Sequence, residues 1–152
     1  CSRPSTRLGR RHICPGITTA SAAAASAGVS LTLRGLSRKL IFVTAHAQAD
    51  EEPDLDWEAL ADPQATLAIY MGRSVAREIS ANLQQAGLSG STPVMVVENV
   101  SLPSEAMVHT RLDLLELAIP PKQSGPTIIL VGQAVASSCN GAEKKEQCFN
   151  VV

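Results

Sequence analysis

Aromatic side chains are scarce in this sequence. They make up 3% of its 152 residues, and the full set is Phe42, Trp57, Tyr70 and Phe149. Proteins that bind single-stranded nucleic acid stack bases on aromatic rings, so this scarcity disfavours such a partner. The net charge of −1 also disfavours a polyanionic partner. With so few rings available, the core of the fold is expected to be aliphatic.

Several chemical signatures are also missing. The four cysteines, at positions 1, 14, 139 and 148, form no Cys-x-x-Cys pair. This spacing disfavours a zinc site and favours a reducing compartment. No apolar run is long enough to cross a bilayer. The sequence has no glycine-rich phosphate loop and no Ser-His-Asp or Cys-His arrangement, so it predicts neither a membrane partner nor a covalent nucleophile.

Acidic residues are missing from the first third of the chain. All 14 lie at Asp50 or beyond, whereas seven cations precede that position. The opening stretch CSRPSTRLGRRH is rich in Arg and Ser, which is typical of an organelle transit sequence. The same composition fits a non-native end, and the residues do not decide between the two. We therefore treat residues 1–13 as an irregular or non-native end.

The clearest structural pattern runs from Thr66 to Ser101. Residues 66–70 form a short apolar run, which is typical of a strand buried on both faces. Residues 94–97 form a second such run. A helical pattern lies between them. Strand, helix and strand in this order predict a right-handed parallel crossover unit.

The helix between these two strands has one apolar face. Val75, Ile79 and Leu83 recur at i, i+4 and i+8, which is the spacing of one side of an α-helix. We expect Ser74 to cap its start and Gly87 to end it.

Further elements surround this unit. The small residues 20–27, which end at Gly28, predict a helix that packs closely on its neighbour. Asp56 is expected to cap a short helix that Trp57 anchors to the body. The other predicted elements are a strand at 39–44, a weak strand at 104–110, a short helix at 111–117 with Leu112, Leu115 and Leu117 available for packing, and a strand at 127–132.

Together these elements predict an α/β fold with a mixed, mostly buried sheet of about five strands and flanking helices. Residues 136–152 change in composition and are predicted to form a loosely attached tail. Sheets of this kind bind ligands at the carboxyl ends of their strands. That rule predicts a binding edge made of the residues that follow the strands: Ala45-His46, Met71-Gly72, Glu98-Asn99-Val100 and Gly132.

Eight short segments occur in the order and spacing of a known family. They are PGITTASAAAA (15–25), LTLRGL (31–36), FVTAH (42–46), LDWEAL (55–60), TLAIYMG (66–72), TPV (92–94), VEN (97–99) and IILVG (128–132). No single segment is specific, but as a series they resemble the uroporphyrinogen-III C-methyltransferases, which are tetrapyrrole methylases. The resemblance covers about Cys14 to Val135, and it implies that residues 14–135 form the C-terminal domain of such an enzyme.

The resemblance implies a reaction. Two methyl groups would pass from S-adenosyl-L-methionine, the methyl donor, to ring carbons of uroporphyrinogen III, giving precorrin-2 for sirohaem or cobalamin biosynthesis. An electron-rich pyrrole carbon displaces the methyl group of a sulfonium, so the protein mainly has to align two ligands and exclude water. This chemistry requires no covalent nucleophile.

The resemblance also implies roles for individual residues. Thr18, Thr19 and Met71 match positions that contact the methyl donor. Val100 stands where the family has the glycine of Glu-Asn-Gly, whose backbone approaches the donor. Arg34 matches a position that pairs with a carboxylate of the tetrapyrrole. Interpreted without the family, the threonines are a helix cap, the methionine is core and the arginine is solvated surface.

The sequence departs from the family at Leu33, where the family has His, at Ala45, where it has Gly, and in two further respects. A β-branched residue, Val100, replaces a glycine, which makes close approach of the backbone to the donor difficult. The family's N-terminal motifs, namely a glycine- and proline-rich loop, the proposed acid and base and a Gly-Gly-Asp segment, do not occur here. We therefore expect a partial enzyme that has no catalytic residue of its own, supplies about half of the cleft and is inactive alone.

Two alternatives remain open at this stage. One is a non-catalytic, degenerate paralogue retained for dimer formation or regulation. The other is a methyltransferase for another tetrapyrrole or corrinoid. In either case the family implies a tetrapyrrole partner and a homodimer in the full-length proteins. It implies a cytoplasmic location, or a plastid one if the source is a plant or alga.

Overall fold

A computed structural model describes residues 14–45, 55–119 and 125–140. The predictions for His46, for the acidic segment at 48–54 and for the tail beyond 140 lie outside these residues. The helices are α1 (Thr19–Ala27), α2 (Trp57–Leu60), α3 (Ala76–Gln85) and α4 (Leu115–Ala118), with 3₁₀ turns at Leu112–Leu114 and Gln133–Asn140. The strands are β1 (Lys39–Thr44), β2 (Ala65–Tyr70), β3 (Pro93–Glu98), β4 (Ala106–Arg111) and β5 (Thr127–Val131).

The five strands form one mixed sheet in the order β1-β2-β5-β3-β4. β1 and β2 are parallel, whereas β5 runs antiparallel to both β2 and β3, and β4 runs antiparallel to β3. The predicted fold class is therefore confirmed. Strands β2 and β3 point the same way, as the crossover prediction requires, but β5 inserts between them and they do not pair.

Successive side chains along a strand point to opposite faces of the sheet, and both faces are buried here. On β3, Val94 and Val96 join a core cluster with α3 and its neighbours, whereas Met95 and Val97 join the cluster under α1. Central strands that are covered on both sides read as continuous apolar runs, which is why β3 and β5 were recognisable from sequence.

Two of the predicted helix starts are confirmed and one is wrong. The Thr18 side chain caps α1 by accepting a hydrogen bond from the Ser21 amide at 3.1 Å, and Asp56 caps α2 in the same way. Ser74 does not cap α3, whose N-cap is Val75 without a side-chain hydrogen bond. The turn that precedes α3 packs closely on the helix, because a Cβ at Gly72 would lie 2.8 Å from the Ile79 side chain.

The apolar face of α3 is confirmed, because Ile79 and Leu83 are fully buried. The packing prediction for α4 and the turn before it holds in part. Leu112 and Leu115 are buried in the same cluster as α3, but Leu117 is 82% exposed. Leu112 and Leu115 are three residues apart and share a face, whereas Leu117 points away from it.

Candidate functional site

An open groove of about 900 Å³ runs along the edge of the sheet where β2 and β3 end. Since β5 is antiparallel to them, its amino end reaches the same edge, and Glu98 pairs with Thr127 there. The residues around the groove come from α1, α3, α4 and the ends of these three strands: Thr19, Tyr70, Met71, Arg73, Ser74, Ala76, Arg77, Glu78, Val100, Glu116, Ile119, Gly125, Pro126, Thr127 and Ile128. A volume of this size suits a small-molecule ligand.

The groove spans both faces of the sheet. Thr19 belongs to α1, which covers one face, whereas Arg77 and Glu116 belong to α3 and α4 on the other. The Arg77 and Glu116 side chains are both mostly exposed, and their closest charged atoms are 4.0 Å apart. Such a pair contributes little to stability and leaves both groups accessible to a ligand.

The start of α1 is fixed against β2. The Ala20 amide donates a hydrogen bond to the Tyr70 hydroxyl at 3.2 Å. This contact places Thr19 at the wall of the groove. Thr18 lies next to it, but its hydroxyl oxygen already accepts from the Ser21 amide as the helix cap.

Met71 follows β2 in a left-handed conformation, with φ 53°, and its side chain is 55% exposed. Few non-glycine residues adopt positive φ, and when they do the position merits a functional explanation. The prediction from the residue type alone was a core methionine, and that alternative is wrong. The exposed thioether is instead part of the groove wall.

Val100 also lines the groove, between two left-handed residues. Asn99 has φ 52° and Ser101 has φ 66°, whereas Val100 itself is not in this region. The positive φ angles of this loop therefore belong to the neighbours of Val100 and not to Val100 itself. Val100 packs partly against the core cluster under α1.

Behind the groove lies an ion pair that the sequence did not reveal. Arg73 donates from Nη1 to Glu98 Oε1, and the Thr127 hydroxyl lies 3.4 Å from the same carboxylate oxygen. Both charged side chains are mostly buried, at 19% and 6% exposure. The pair joins the turn after β2 to the adjacent ends of β3 and β5. A signal existed, because a carboxylate at the end of a buried strand needs a partner.

Arg34 is not part of this groove. It lines a separate, shallow pocket with Thr32, Leu33, Ser37 and Arg38. The Arg38 amide donates to the Gln64 carbonyl at 2.8 Å, beside the first residues of β1 and β2, which is the opposite edge of the sheet. Among the described residues, neither Arg34 nor Arg38 lies within ion-pair distance of a carboxylate.

Gly132 is also at the opposite edge, so its predicted place at the binding edge is wrong. It follows β5, and β5 runs against β2 and β3. A Cβ at Gly132 would lie 2.7 Å from the Ala65 carbonyl oxygen, at the start of β2. The rule that ligands bind at the carboxyl ends of strands applies to parallel strands, and the direction of β5 could not be predicted from its residues.

Metal-binding clusters and membrane spans were sought among the described residues. No three of their His, Cys, Asp and Glu side chains come together in a way that could hold a metal ion. None of the helices in the described ranges has the length and apolar character needed to span a bilayer.

Sequence comparison identifies relatives over most of the chain. Residues 7–116 match the family model of Tetrapyrrole (Corrin/Porphyrin) Methylases. A uroporphyrinogen-III C-methyltransferase from Paracoccus denitrificans is 43% identical over 128 residues, covering 82% of this chain and 45% of the relative. A siroheme synthase from Zymomonas mobilis is 40% identical over 122 residues, covering 80% of this chain and 26% of the relative. The chain thus spans less than half the length of these relatives.

Solved structures give the same result. A cobalt precorrin-4 methyltransferase superposes with a TM-score of 0.71 and 30% identity, covering 82% of this chain and 52% of the other. The uroporphyrin-III C-methyltransferase of Thermus thermophilus, in a complex with S-adenosyl homocysteine, gives a TM-score of 0.67 and 29% identity, with coverage of 82% and 53%. From the family match, the relatives and the shared fold, we conclude that this chain belongs to the tetrapyrrole methylases.

Proposed function

We propose that this chain takes part in the S-adenosyl-L-methionine-dependent C-methylation of uroporphyrinogen III to precorrin-2, on the route to sirohaem or cobalamin. One observation carries the proposal. Thr19, Met71 and Val100, which come from three separate parts of the sequence, line a single groove. The 43% identity to a uroporphyrinogen-III C-methyltransferase favours this reaction over others in the family.

The groove suits a donor that has both a cationic sulfonium and a nucleoside. Met71, Val100 and Ile128 give it apolar walls that exclude water from a reacting methyl group. In our proposal, Met71 supplies a flexible, polarizable surface against the donor. The backbone amides that begin α1, at Thr18 and Thr19, would face its polar end.

Arg34 has a different role in the proposal. Its pocket is at the other edge of the sheet from the groove, so we propose that it contacts a peripheral carboxylate of the tetrapyrrole and not the donor. A guanidinium binds carboxylates through paired hydrogen bonds, and a tetrapyrrole with several acid side chains offers them. The donor site does not depend on this contact.

The groove is open, and we propose that it forms one wall of a larger cleft. The matched relatives are more than twice as long as the aligned segment. In this proposal, residues 14–135 form the domain that carries the wall, residues 1–13 and 136–152 flank it, and the opposite wall comes from a separate domain. Homodimer formation belongs to the same proposal.

The donor site can be tested by calorimetry with S-adenosyl homocysteine on the 152-residue chain. Met71→Glu should weaken binding at least tenfold, because it places a negative charge in an apolar wall. Leu36→Glu is the matched control, since Leu36 is also an exposed apolar residue but lies in the hairpin before β1. Absence of binding at millimolar ligand would contradict the donor site and favour the non-catalytic paralogue.

The acceptor needs a separate test. The chain would be mixed with an N-terminal domain of the family and incubated with labelled S-adenosyl-L-methionine and uroporphyrinogen III. Transfer of label to the tetrapyrrole supports the proposal. A second candidate acceptor is a precorrin, because a cobalt precorrin-4 methyltransferase has a TM-score of 0.71 to this chain. Transfer to a precorrin alone would replace the first candidate with the second.

A further inference from the structure

We propose that Glu105 is a positioning residue for the groove. Its carboxylate ties the loop that carries Val100 to the helix that begins at Thr19, and so sets the spacing between two walls of the groove. The inference rests on the proposed function, because it concerns the same groove. It assigns a role to a residue that lies outside the groove lining.

The loop between β3 and β4 needs to be held in place. It covers residues 99–105 and joins two paired strands, whose ends meet at Glu98 and Ala106. Two of its residues, Asn99 and Ser101, have left-handed backbones that are unfavourable without glycine. Such a conformation persists only where surrounding contacts enforce it.

Glu105 supplies those contacts on the side of α1. The Ser101 amide donates to Glu105 Oε2 at 2.6 Å, and the Ser26 hydroxyl donates to Glu105 Oε1. One carboxylate therefore fixes the strained residue after Val100 and also the last turn of α1. At the other end of the loop, the backbone N–H of Asn99 donates a hydrogen bond to the Pro126 carbonyl at 2.9 Å.

Helix α1 needs polar contacts to hold its position on the sheet. Its buried side chains are all alanines, with Ala20 and Ala23 fully covered by the sheet. Small side chains interlock weakly, so the apolar contact does little to stop the helix from sliding along the sheet. Tyr70 anchors the first turn through the Ala20 amide, and Glu105 anchors the last turn through Ser26.

Stabilisation of α1 itself does not explain this carboxylate. A negative charge near the C-terminus of a helix interacts unfavourably with the helix dipole. Hydrogen bonds from Ser26 and Ser101 hold the carboxylate there, and they lower the pKa of Glu105 below its ordinary value. The geometry is that of a link between two elements.

The test compares three variants of the 152-residue chain in titrations with S-adenosyl homocysteine. Glu105→Ala should raise Kd about tenfold, as expected for the loss of a charged hydrogen bond. Glu105→Gln should stay within about twofold of the parent chain, because its oxygen can accept from Ser101 and its amide can donate to Ser26. Asp62→Asn, which removes an exposed, hydrogen-bonded carboxylate at the opposite edge, should have no effect.

A second measurement keeps the inference independent of donor binding. Amide exchange in the free chain should accelerate at Ser101 and in the last turn of α1, and much more for Glu105→Ala than for Glu105→Gln. Unchanged affinity with unchanged exchange would overturn the inference, as would acceleration that extends equally to β5, because that pattern means global destabilisation. If the parent chain binds no S-adenosyl homocysteine, the proposed function fails, whereas the exchange data still decide the role of Glu105.

Discussion

Positive φ angles have a different origin at the two edges of the sheet. At the groove edge, in the described part of the chain, they include three non-glycine residues: Met71, Asn99 and Ser101. At the opposite edge they belong to glycines of the turns: Gly35, Gly87 and Gly132. Backbone strain is therefore concentrated at the edge that carries the candidate site. Strain of this kind is typical of functional positions, where geometry outweighs local preference.

Charge is also arranged differently at the two edges. At the groove edge, Arg73 and Glu98 form a mostly buried ion pair behind a cavity of about 900 Å³. At the opposite edge, Lys39 and Asp62 form a pair at 2.7 Å in which the Lys39 side chain is 64% exposed. The two cavities at that edge are smaller, about 430 Å³ beside Arg34 and about 170 Å³ between the turns. The groove edge therefore has the larger cavity and the buried ion pair, whereas the charged pair of the opposite edge is screened by solvent.

The largest expected effect comes from breaking the buried pair. Glu98→Ala removes the carboxylate that faces Arg73 and should lower the free energy of unfolding by about 3 kcal/mol, because a charge then stays buried without this partner. The measurement is equilibrium unfolding in urea. Ligand titrations on the same variant should show weaker binding, since Arg73 lines the groove.

Asp62→Asn is the control for this prediction. It removes the carboxylate that pairs with Lys39 at the opposite edge, where solvent screens the interaction, so the free energy of unfolding in urea should fall by much less than for Glu98→Ala. If the two variants lose equal stability, the contrast between a braced edge and a solvated edge is wrong.

A smaller effect should separate two serines of one loop. Ser101 has φ 66°, whereas Ser104, three residues later, is not in the left-handed region. Ser101→Gly relieves unfavourable backbone geometry, but Ser104→Gly only adds freedom to the unfolded chain. We expect Ser101→Gly to be more stable than Ser104→Gly by about 1 kcal/mol in thermal unfolding. Equal stabilities would mean that the loop is not strained at Ser101.

Much of the secondary structure follows from the sequence because its causes are local. The strand predicted at 39–44 coincides with β1, and Gly28 ends α1 in a left-handed conformation with φ 68°. One error has a long-range cause, because Gly132 was assigned to the wrong edge and periodicity does not give the direction of a strand. The predicted Ser74 cap is wrong as well, since the N-cap of α3 is Val75.

Residues of the candidate site were predictable only where they follow the end of a strand, because that position places them at the groove edge. Met71 and Val100 follow strands of the same direction, so the sequence alone placed them at one edge. The Arg73–Glu98 pair joins residues 25 positions apart, and Glu105 contacts Ser26 across 79 positions. Such contacts depend on the order of strands in the sheet, and the insertion of β5 between β2 and β3 leaves no trace in local patterns.

The smallest expected effect is the pH dependence of two exposed carboxylates. Hydrogen bonds from Ser26 and Ser101 lower the pKa of Glu105 from 4.5, and Lys39 with the Gln64 amide lowers that of Asp62 from 3.8. Each group therefore binds its proton less readily when folded, so its contribution is present above the ordinary pKa and is lost as pH falls below it. Thermal unfolding between pH 7 and pH 3 measures this. The difference in stability between Glu105→Gln and the parent chain should disappear below about pH 4.5, and the difference between Asp62→Asn and the parent chain should disappear below about pH 3.8.

Added salt should shrink only the Asp62 effect, because Lys39 is charged whereas the donors to Glu105 are neutral. Equal salt sensitivity at both sites would show that a cation, rather than the loop amide and the helix hydroxyl, holds Glu105 in its ionised form.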